Sequence, residues 1–181
     1  MRPALLIVDY QNAVFTDPPA REAKAVFDRI ITLVGRARAA GVPVVLTQHE
    51  EPDGDWRRGS AGWQYRDELL ERADAVVQKS SCDAFRGEEL TSVLAKMRID
   101  ALYICGYATE FCVDTTMRRA ASAGFMTYAV SDAHTTRDRD HLDAAAIVAH
   151  HAFVWSGFVN AGNPISMIRS DDVSFTKLSP C

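Results

Sequence analysis

The chain has 181 residues, enough for one well-buried domain and short for two, so a single domain over residues 1–181 is predicted. With 48% hydrophobic and 24% charged residues, its composition is that of an ordinary globular protein and is too apolar for a disordered chain. The net charge of −4 and the lack of a Lys/Arg cluster argue against nucleic acid as a partner.

The chain also lacks the features of membrane insertion and secretion. The longest early apolar run, residues 4–8, is far shorter than a bilayer span and ends at Asp9. A signal peptide would need a longer apolar region and a small-residue cleavage site. Neither a CxxC pair nor the spacing of a disulfide framework is formed by the four cysteines, which are Cys82, Cys105, Cys112 and Cys181. We therefore expect reduced thiols, no membrane partner and a cytoplasmic protein.

Short β-type runs alternate with helical runs, which is typical of βαβ units and a parallel sheet. The run at 4–8 is apolar throughout, as a strand buried on both faces should be. The clearest helical spacing lies at 21–40 and ends before Gly41. In chain order the predicted elements are a strand at 4–8, a helix at 21–40, a strand at 42–47, a short helix at 64–73, a strand at 75–79, a helix at 87–98, a strand at 101–106, a helix at 109–123, a strand at 126–130, a helix from 141 and a strand at 165–168.

Two stretches are open to more than one interpretation. Residues 48–62 form a long loop, and loops of that length in a compact domain usually bind ligands, act as lids or form contact surfaces. The helix that begins at 141 has an alternative, a strand at 152–155. The pattern after Arg169 predicts no element.

Three polar residues stand at or just beyond the ends of predicted strands. Asp9 and Lys79 each lie at such an end, and Cys112 lies in the turn after the strand at 101–106. Ligands of an open parallel sheet bind beyond the carboxyl ends of its strands. A carboxylate, an ammonium and a thiol are therefore predicted to converge on one edge of the sheet.

These three groups form a plausible acyl-transfer site. The start of a helix favours the thiolate of Cys112, and the ammonium of Lys79 would act in the same direction. Asp9 would accept the thiol proton and later give it to a leaving amine, while the backbone N–H groups of Ala108 and Cys112 would receive the oxyanion. Taken alone, each residue has a structural explanation, such as core packing for Cys112. Their joint placement favours the chemical one.

Four segments carry a family resemblance: LLIVDYQN at 5–12, KSSCDAF at 79–85, ICGYATEFCVDTTMRRAASAGF at 104–125 and VSDAH at 130–134. They resemble the isochorismatase-like cysteine hydrolases, a family that includes nicotinamidases and N-carbamoylsarcosine amidases. The resemblance spans most of the chain, from Ala4 to about His151. Its most specific part is the GxxTxxCVxxTxxxAxxxGF pattern at 106–125.

The resemblance implies a three-layer α/β/α sandwich with a six-stranded parallel sheet. It matches the family's acid to Asp9, its lysine to Lys79 and its nucleophile to Cys112. It also implies a cis peptide bond between Tyr107 and Ala108, which is rare outside X–Pro bonds. The family commonly forms dimers or tetramers, so a homodimer or homotetramer is expected.

The sequence departs from the nicotinamidases at their metal site. Those enzymes hold a metal through a D-x-H motif and a second histidine after the second strand, whereas residues 47–51 here read TQHEE. His49 and the acidic residues that follow it could bind an ion, but a solvated acidic loop is the preferred interpretation. No metal and no other cofactor are expected, and nicotinamide is a poor candidate substrate.

The loops that flank the predicted pocket supply candidates for substrate binding. Their aromatic residues would give a mostly apolar pocket with few polar anchors, as is usual for small-molecule sites. These candidates are Gln11, Phe15, His49, Trp56, Tyr107 and Glu110.

Three functions remain open from the sequence. The leading one is hydrolysis of a C–N amide bond in a small molecule, with Cys112 as the nucleophile. The second is the isochorismatase reaction, the cleavage of a vinyl ether, which does not require the thiol. The third is a non-catalytic oligomeric binding protein, against which the presence of all three polar residues argues.

Overall fold

Six parallel strands form the centre of the protein. The computed structural model describes residues 1–160 and 162–175. The strands are β1 (Pro3–Val8), β2 (Val44–His49), β3 (Ala75–Lys79), β4 (Ala101–Tyr107), β5 (Met126–Thr135) and β6 (Ile165–Ile168). They lie in the order β3-β2-β1-β4-β5-β6, and every neighbouring pair is parallel. The order reverses at β1, whose carboxyl end therefore faces the crevice where ligands of such sheets bind.

Helices cover both faces of this sheet. They are α1 (Ala23–Ala39), α2 (Asp67–Leu70), α3 (Glu89–Lys96), α4 (Asp114–Ser122) and α5 (Ala144–Ser156). All six residues of β1 are buried, and their side chains alternate between two apolar clusters. Leu5 and Ile7 belong to the cluster that includes α1, whereas Leu6 and Val8 belong to the one that includes α3, α4 and Trp155 of α5. The predicted three-layer α/β/α sandwich is thereby confirmed.

Several element boundaries differ from the sequence-based expectations. The helix expected at 64–73 is a single turn, α2, because the buried Tyr65 donates its hydroxyl to the carbonyl of Thr47 and Asp74 accepts the N–H of Val44. The alternative strand at 152–155 is wrong, since this segment lies within α5. That helix begins at Ala144, where the side chain of Asp143 accepts the N–H of Ala146.

The strand β5 is longer than expected, running to Thr135 instead of ending at Val130. The apolar run ends at Val130, but pairing with β4 resumes after an irregularity, with Gly106 opposite His134. Because of this extension, the segment that follows β5 begins at the edge of the sheet where Asp9 and Lys79 lie. This boundary decides which side chains surround the candidate site.

Gly106 allows β4 to pass unusually close to β1. Its φ is +129°, and a Cβ at this position would lie 2.1 Å from the carbonyl oxygen of Val8. Only glycine satisfies both conditions. Of the cysteines, Cys181 lies outside the described residues. In the described part of the chain, no helix combines the length and the apolarity needed to cross a bilayer.

Candidate active site

The Asp9, Lys79 and Cys112 side chains meet beyond the carboxyl ends of β1, β3 and β4. The Lys79 Nζ lies 2.5 Å from Asp9 Oδ2 and donates a hydrogen bond to Cys112 Sγ at 3.2 Å. It also donates to the carbonyl oxygen of Ser81 at 2.9 Å. The ammonium thus bridges a carboxylate and a thiol, in the arrangement that the strand ends suggest.

Neighbouring residues fix the Asp9 carboxylate in place. Asp9 adopts a left-handed backbone conformation, with φ of 47°, directly after β1. Its N–H donates to the carbonyl of Thr47, and the Thr47 hydroxyl donates to Asp9 Oδ1 at 2.7 Å. One carboxylate oxygen is therefore held by Thr47 and the other faces Lys79. The side chains of Asp9 and Lys79 are only 1% and 4% exposed, so their charges interact through little water.

The thiol of Cys112 lies in a π-helical turn, Thr109–Val113, that precedes α4. Burial raises the pKa of Cys112, and the Asp9 carboxylate raises it further, against the opposing effect of Lys79. Burial alone would lower the pKa of Lys79, but Asp9 and Cys112 outweigh it and hold that pKa above its ordinary value. Burial and the Asp9 carboxylate therefore act against the thiolate that the start of a helix and the Lys79 ammonium would favour.

The peptide bond between Tyr107 and Ala108 is cis, at the position to which the resemblance assigns one. The carbonyl oxygen of Ala108 accepts the N–H groups of Phe111 and Val113. These bonds tie the turn back to its first residue. Ala108 and Cys112 both line the pocket described next.

A pocket of about 410 Å³ opens above the thiol. Three of the residues predicted to bind substrate line it, namely His49, Trp56 and Tyr107. The rings of Trp56 and Tyr107 stack with centroids 5.6 Å apart, and the His49 ring meets the Trp56 ring edge-on at 6.0 Å. Trp56 lies in the loop at 48–62, so that loop supplies one wall of the pocket.

Three other predicted substrate-binding residues, Gln11, Phe15 and Glu110, are not among the described residues that line the pocket. Gln11 is fully buried, and its amide is used in bonds to the backbone of His49 and Trp63. Phe15 packs instead against Phe27 of α1. Glu110 pairs with an arginine that does reach the pocket. The direction in which a loop side chain points cannot be inferred from its spacing in the sequence. For this reason the positions of these three side chains were predicted incorrectly.

Two pocket residues were not identified from the sequence. Arg137 and Arg139 follow β5 and line the pocket together with Cys112. The Arg139 Nη2 lies 2.6 Å from Glu110 Oε1, and its guanidinium lies 5.1 Å from the centre of the Phe111 ring. A correct end for β5 would have revealed both, since it places them beyond the carboxyl end of a strand.

One group of side chains has the composition of a metal site. The ligand atoms of Asp9, His49 and Cys112 lie within 4.8 Å of one another. However, the Lys79 Nζ lies 2.5 Å from Asp9, 3.2 Å from Cys112 and 3.5 Å from His49 Nδ1. The same three groups therefore already surround a cation, and a divalent ion at this place would be repelled by it. The residues do not fit a metal.

Behind the π-helical turn lies His134, which is 3% exposed. Its Nδ1 is 2.9 Å from the hydroxyl of Thr109, the first residue of the turn, and its ring contacts that of Trp155. Burial lowers the pKa of His134 to about 4, and nearby His151 acts in the same direction. A neutral histidine therefore supports the turn that carries Cys112.

Known proteins resemble this chain in sequence and in fold. Residues 3–156 match the sequence profile of the isochorismatase domain. Streptothricin hydrolase from Streptomyces noursei is 34% identical over 138 residues, which are 75% of this chain and 50% of that protein, so the chain spans about half of that relative's length. Nicotinamidase 3 from Arabidopsis thaliana is 25% identical over 84% of this chain and 82% of its own. The crystal structure of an isochorismatase family protein superposes with a TM-score of 0.81 at 30% identity, covering 92% of this chain and 98% of its own.

Proposed function

The chain belongs to the isochorismatase family of hydrolases, and from this premise we propose that it is a cysteine hydrolase that cleaves the C–N bond of a small amide. The observation that carries the proposal is the contact of the Lys79 ammonium with both the Asp9 carboxylate and the Cys112 thiol at the base of a pocket. Nicotinamidase 3, a similar protein, is by its name an amide hydrolase.

In the first half of the reaction, Cys112 Sγ attacks the amide carbonyl as its proton passes to Asp9. The backbone N–H groups of Ala108 and Cys112 donate to the resulting oxyanion. Asp9 then gives the proton to the leaving nitrogen, the C–N bond breaks, and ammonia or an amine departs. The acyl group remains on Cys112 as a thioester.

In the second half, water replaces the amine. The water oxygen attacks the thioester carbonyl as Asp9 accepts a proton from that water, and the C–S bond then breaks. The departing sulfur recovers the proton, which restores the neutral thiol and releases a carboxylic acid. Lys79 stays charged throughout and balances the carboxylate or the sulfur, whichever carries the negative charge. Because Asp9 removes the thiol proton as the substrate is attacked, this scheme does not require a preformed thiolate.

Two competing functions predict different behaviour. Vinyl-ether cleavage does not require a thiol, so a protein that catalyses it would keep its turnover without Cys112. A non-catalytic binding protein would release no ammonia from any amide. The buried and mutually satisfied charges around the thiol favour amide hydrolysis over both.

The test compares two cysteine variants of the protein. Each is assayed on a panel of small amides, and the release of ammonia is measured. We expect Cys112→Ala to lose all measurable turnover. Cys82→Ala is the matched control, because Cys82 lines the same pocket but has no ion pair or hydrogen bond to Lys79 within the described chain. It should retain activity within a few-fold. Turnover that survives Cys112→Ala would contradict the proposal and favour ether cleavage.

We also propose a cytoplasmic homodimer or homotetramer, in line with the expectation from the sequence. Size-exclusion chromatography with light scattering measures the subunit number directly. A monomer at micromolar concentration would contradict this part of the proposal.

A further inference from the structure

His49 stands beside the catalytic groups but takes no part in the two half-reactions described above. It is the last residue of β2 and pairs in register with Lys79 at the end of β3. Its side chain is 14% exposed and lines the pocket, and its ring meets the Trp56 ring edge-on. The strand and the ring contact therefore hold this imidazole at the base of the pocket.

The two nitrogens of the His49 ring face groups of opposite charge. Nδ1 lies 3.5 Å from the Lys79 Nζ, and Nε2 lies 3.5 Å from Glu51 Oε1. A ring nitrogen that faces an ammonium presents its lone pair, whereas one that faces a carboxylate presents its hydrogen. The surroundings thus favour the tautomer with the proton on Nε2, which leaves Nδ1 as an acceptor.

Lys79 does not use up this acceptor. An ammonium group has three hydrogens, and three partners lie closer to it than His49 does. These are Asp9 Oδ2 at 2.5 Å, the carbonyl oxygen of Ser81 at 2.9 Å and Cys112 Sγ at 3.2 Å. The lone pair of His49 Nδ1 can therefore accept a hydrogen bond from a molecule in the pocket.

Asp9, His49 and Cys112 are spaced as the neighbours of one water molecule would be. Their ligand atoms lie within 4.8 Å of one another, and all three residues line the pocket. Lys79 is not among the described residues of that lining, which places its ammonium behind the three groups. Two acceptors that share a water lie about 4.5 Å apart, because each is about 2.8 Å from its oxygen and the two hydrogens diverge at a near-tetrahedral angle. The spacing therefore suits a water on the pocket side.

We propose that His49 positions the water that hydrolyses the acyl-enzyme. The water donates one hydrogen bond to His49 Nδ1 and one to the Asp9 carboxylate, so its lone pairs point to the third group, Cys112, which carries the acyl carbon. As the oxygen attacks, Asp9 takes one proton and Nδ1 keeps the other hydrogen bond. This inference rests on the proposed amidohydrolase function and adds a residue to its second half. His49 should therefore matter for hydrolysis of the thioester and not for its formation.

The experiment compares two replacements of His49 that keep different parts of the side chain. His49→Phe keeps a ring beside Trp56 but has no acceptor, whereas His49→Asn loses the ring and puts an amide oxygen near the position of Nδ1. The substrate is the amide of the panel that is hydrolysed fastest. His49→Phe should lower kcat about tenfold to a hundredfold and leave kcat/KM within about threefold, because kcat/KM covers only the steps up to release of the amine. His49→Asn should retain more of kcat than His49→Phe.

Two further measurements locate the defect in the second half of the reaction. Mass spectrometry of the acid-quenched His49→Phe protein in steady state should find the acyl group on most of Cys112, because the thioester forms normally and is hydrolysed slowly. Hydroxylamine, a stronger nucleophile than water, should release a hydroxamate and restore turnover to within a few-fold of the unaltered protein. His141→Phe is the matched control, since it makes the same exchange at an exposed histidine outside the pocket lining.

The opposite order of the two variants, with His49→Phe active and His49→Asn impaired, would mean that the ring only packs against Trp56. Equal falls of kcat and kcat/KM in both variants would place His49 in substrate binding or acylation. Either result would overturn the inference and leave the amidase intact. Failure of the unaltered protein to release ammonia from any amide would overturn the amidase itself. The thermal midpoint of each variant is measured alongside, and His49→Leu replaces a phenylalanine variant that does not fold.

Discussion

The base of the pocket and its rim differ in how their charged groups are buried and paired. At the base, Asp9 and Lys79 are almost completely buried, and their charges balance each other. At the rim, Phe111 is 48% exposed, and Arg137 has a buried donor with no hydrogen-bond partner in the described part of the chain. Groups that perform a reaction benefit from fixed partners, because they must not rearrange as charge moves. Groups that select a substrate need a position that the substrate itself fills.

The largest effect is expected at the base, from Asp9→Asn. Loss of the proton carrier should reduce amide turnover by about 10²- to 10⁴-fold. The same substitution should make Cys112 more acidic, because the Asp9 carboxylate raises the pKa of that thiol and Lys79 would then act on it unopposed. Alkylation of Cys112 by iodoacetamide near neutral pH, measured by peptide mapping, should therefore become faster as hydrolysis becomes slower.

The control for this variant is Asp53→Asn, which removes an exposed carboxylate from the loop at 48–62. It should change neither rate by more than about twofold. Parallel losses of alkylation and of turnover in Asp9→Asn would mean that Asp9 only shapes the site, and the proton-transfer role would have to be abandoned.

The stability of the protein should depend on pH through His134, the buried histidine behind the turn that carries Cys112. This side chain has a pKa of about 4 when folded and 6.5 when unfolded, so the unfolded chain binds an extra proton between these values. The free energy of unfolding should be unaffected above pH 6.5 and should fall by about 3 kcal/mol as the pH decreases to 4. Urea denaturation at a series of pH values measures this loss.

Replacement of this histidine isolates its contribution. His134→Gln should flatten the dependence between pH 6.5 and 4, even if it lowers stability at pH 7. A slope that persists unchanged in the variant would assign the effect to carboxylates elsewhere in the protein.

A smaller effect on stability and on KM is expected from substitution of Gln11, which connects the base of the pocket to the loop that bears Trp56. Gln11→Ala removes three hydrogen bonds to the partly buried backbone of His49 and Trp63. The expected cost is about 2 kcal/mol of stability, with KM for amides rising more than kcat falls. Gln78→Ala, which removes one exposed hydrogen bond to Arg58, should change neither quantity appreciably. A fall in kcat at constant KM would place Gln11 in the reaction itself.

The sequence predicted the base of the pocket far better than its rim. Asp9 and Lys79 stand at the ends of β1 and β3, and a fully buried apolar strand such as β1 is the most regular feature of the chain. Arg137 was missed because β5 continues past its apolar run, on pairing with β4 that no local pattern reveals. The upward pressure on the pKa of Cys112 was also not anticipated, since the start of a helix is visible in a sequence and the loss of solvent around a thiol is not.

The central claim is that Cys112 carries the acyl group during turnover. Rapid mixing with the amide of the panel that is hydrolysed fastest, followed by acid quench and mass spectrometry, measures this directly. We predict a transient mass increase equal to that acyl group, located on the peptide that contains Cys112 and absent from Cys112→Ala. Steady ammonia release by Cys112→Ala would contradict the account.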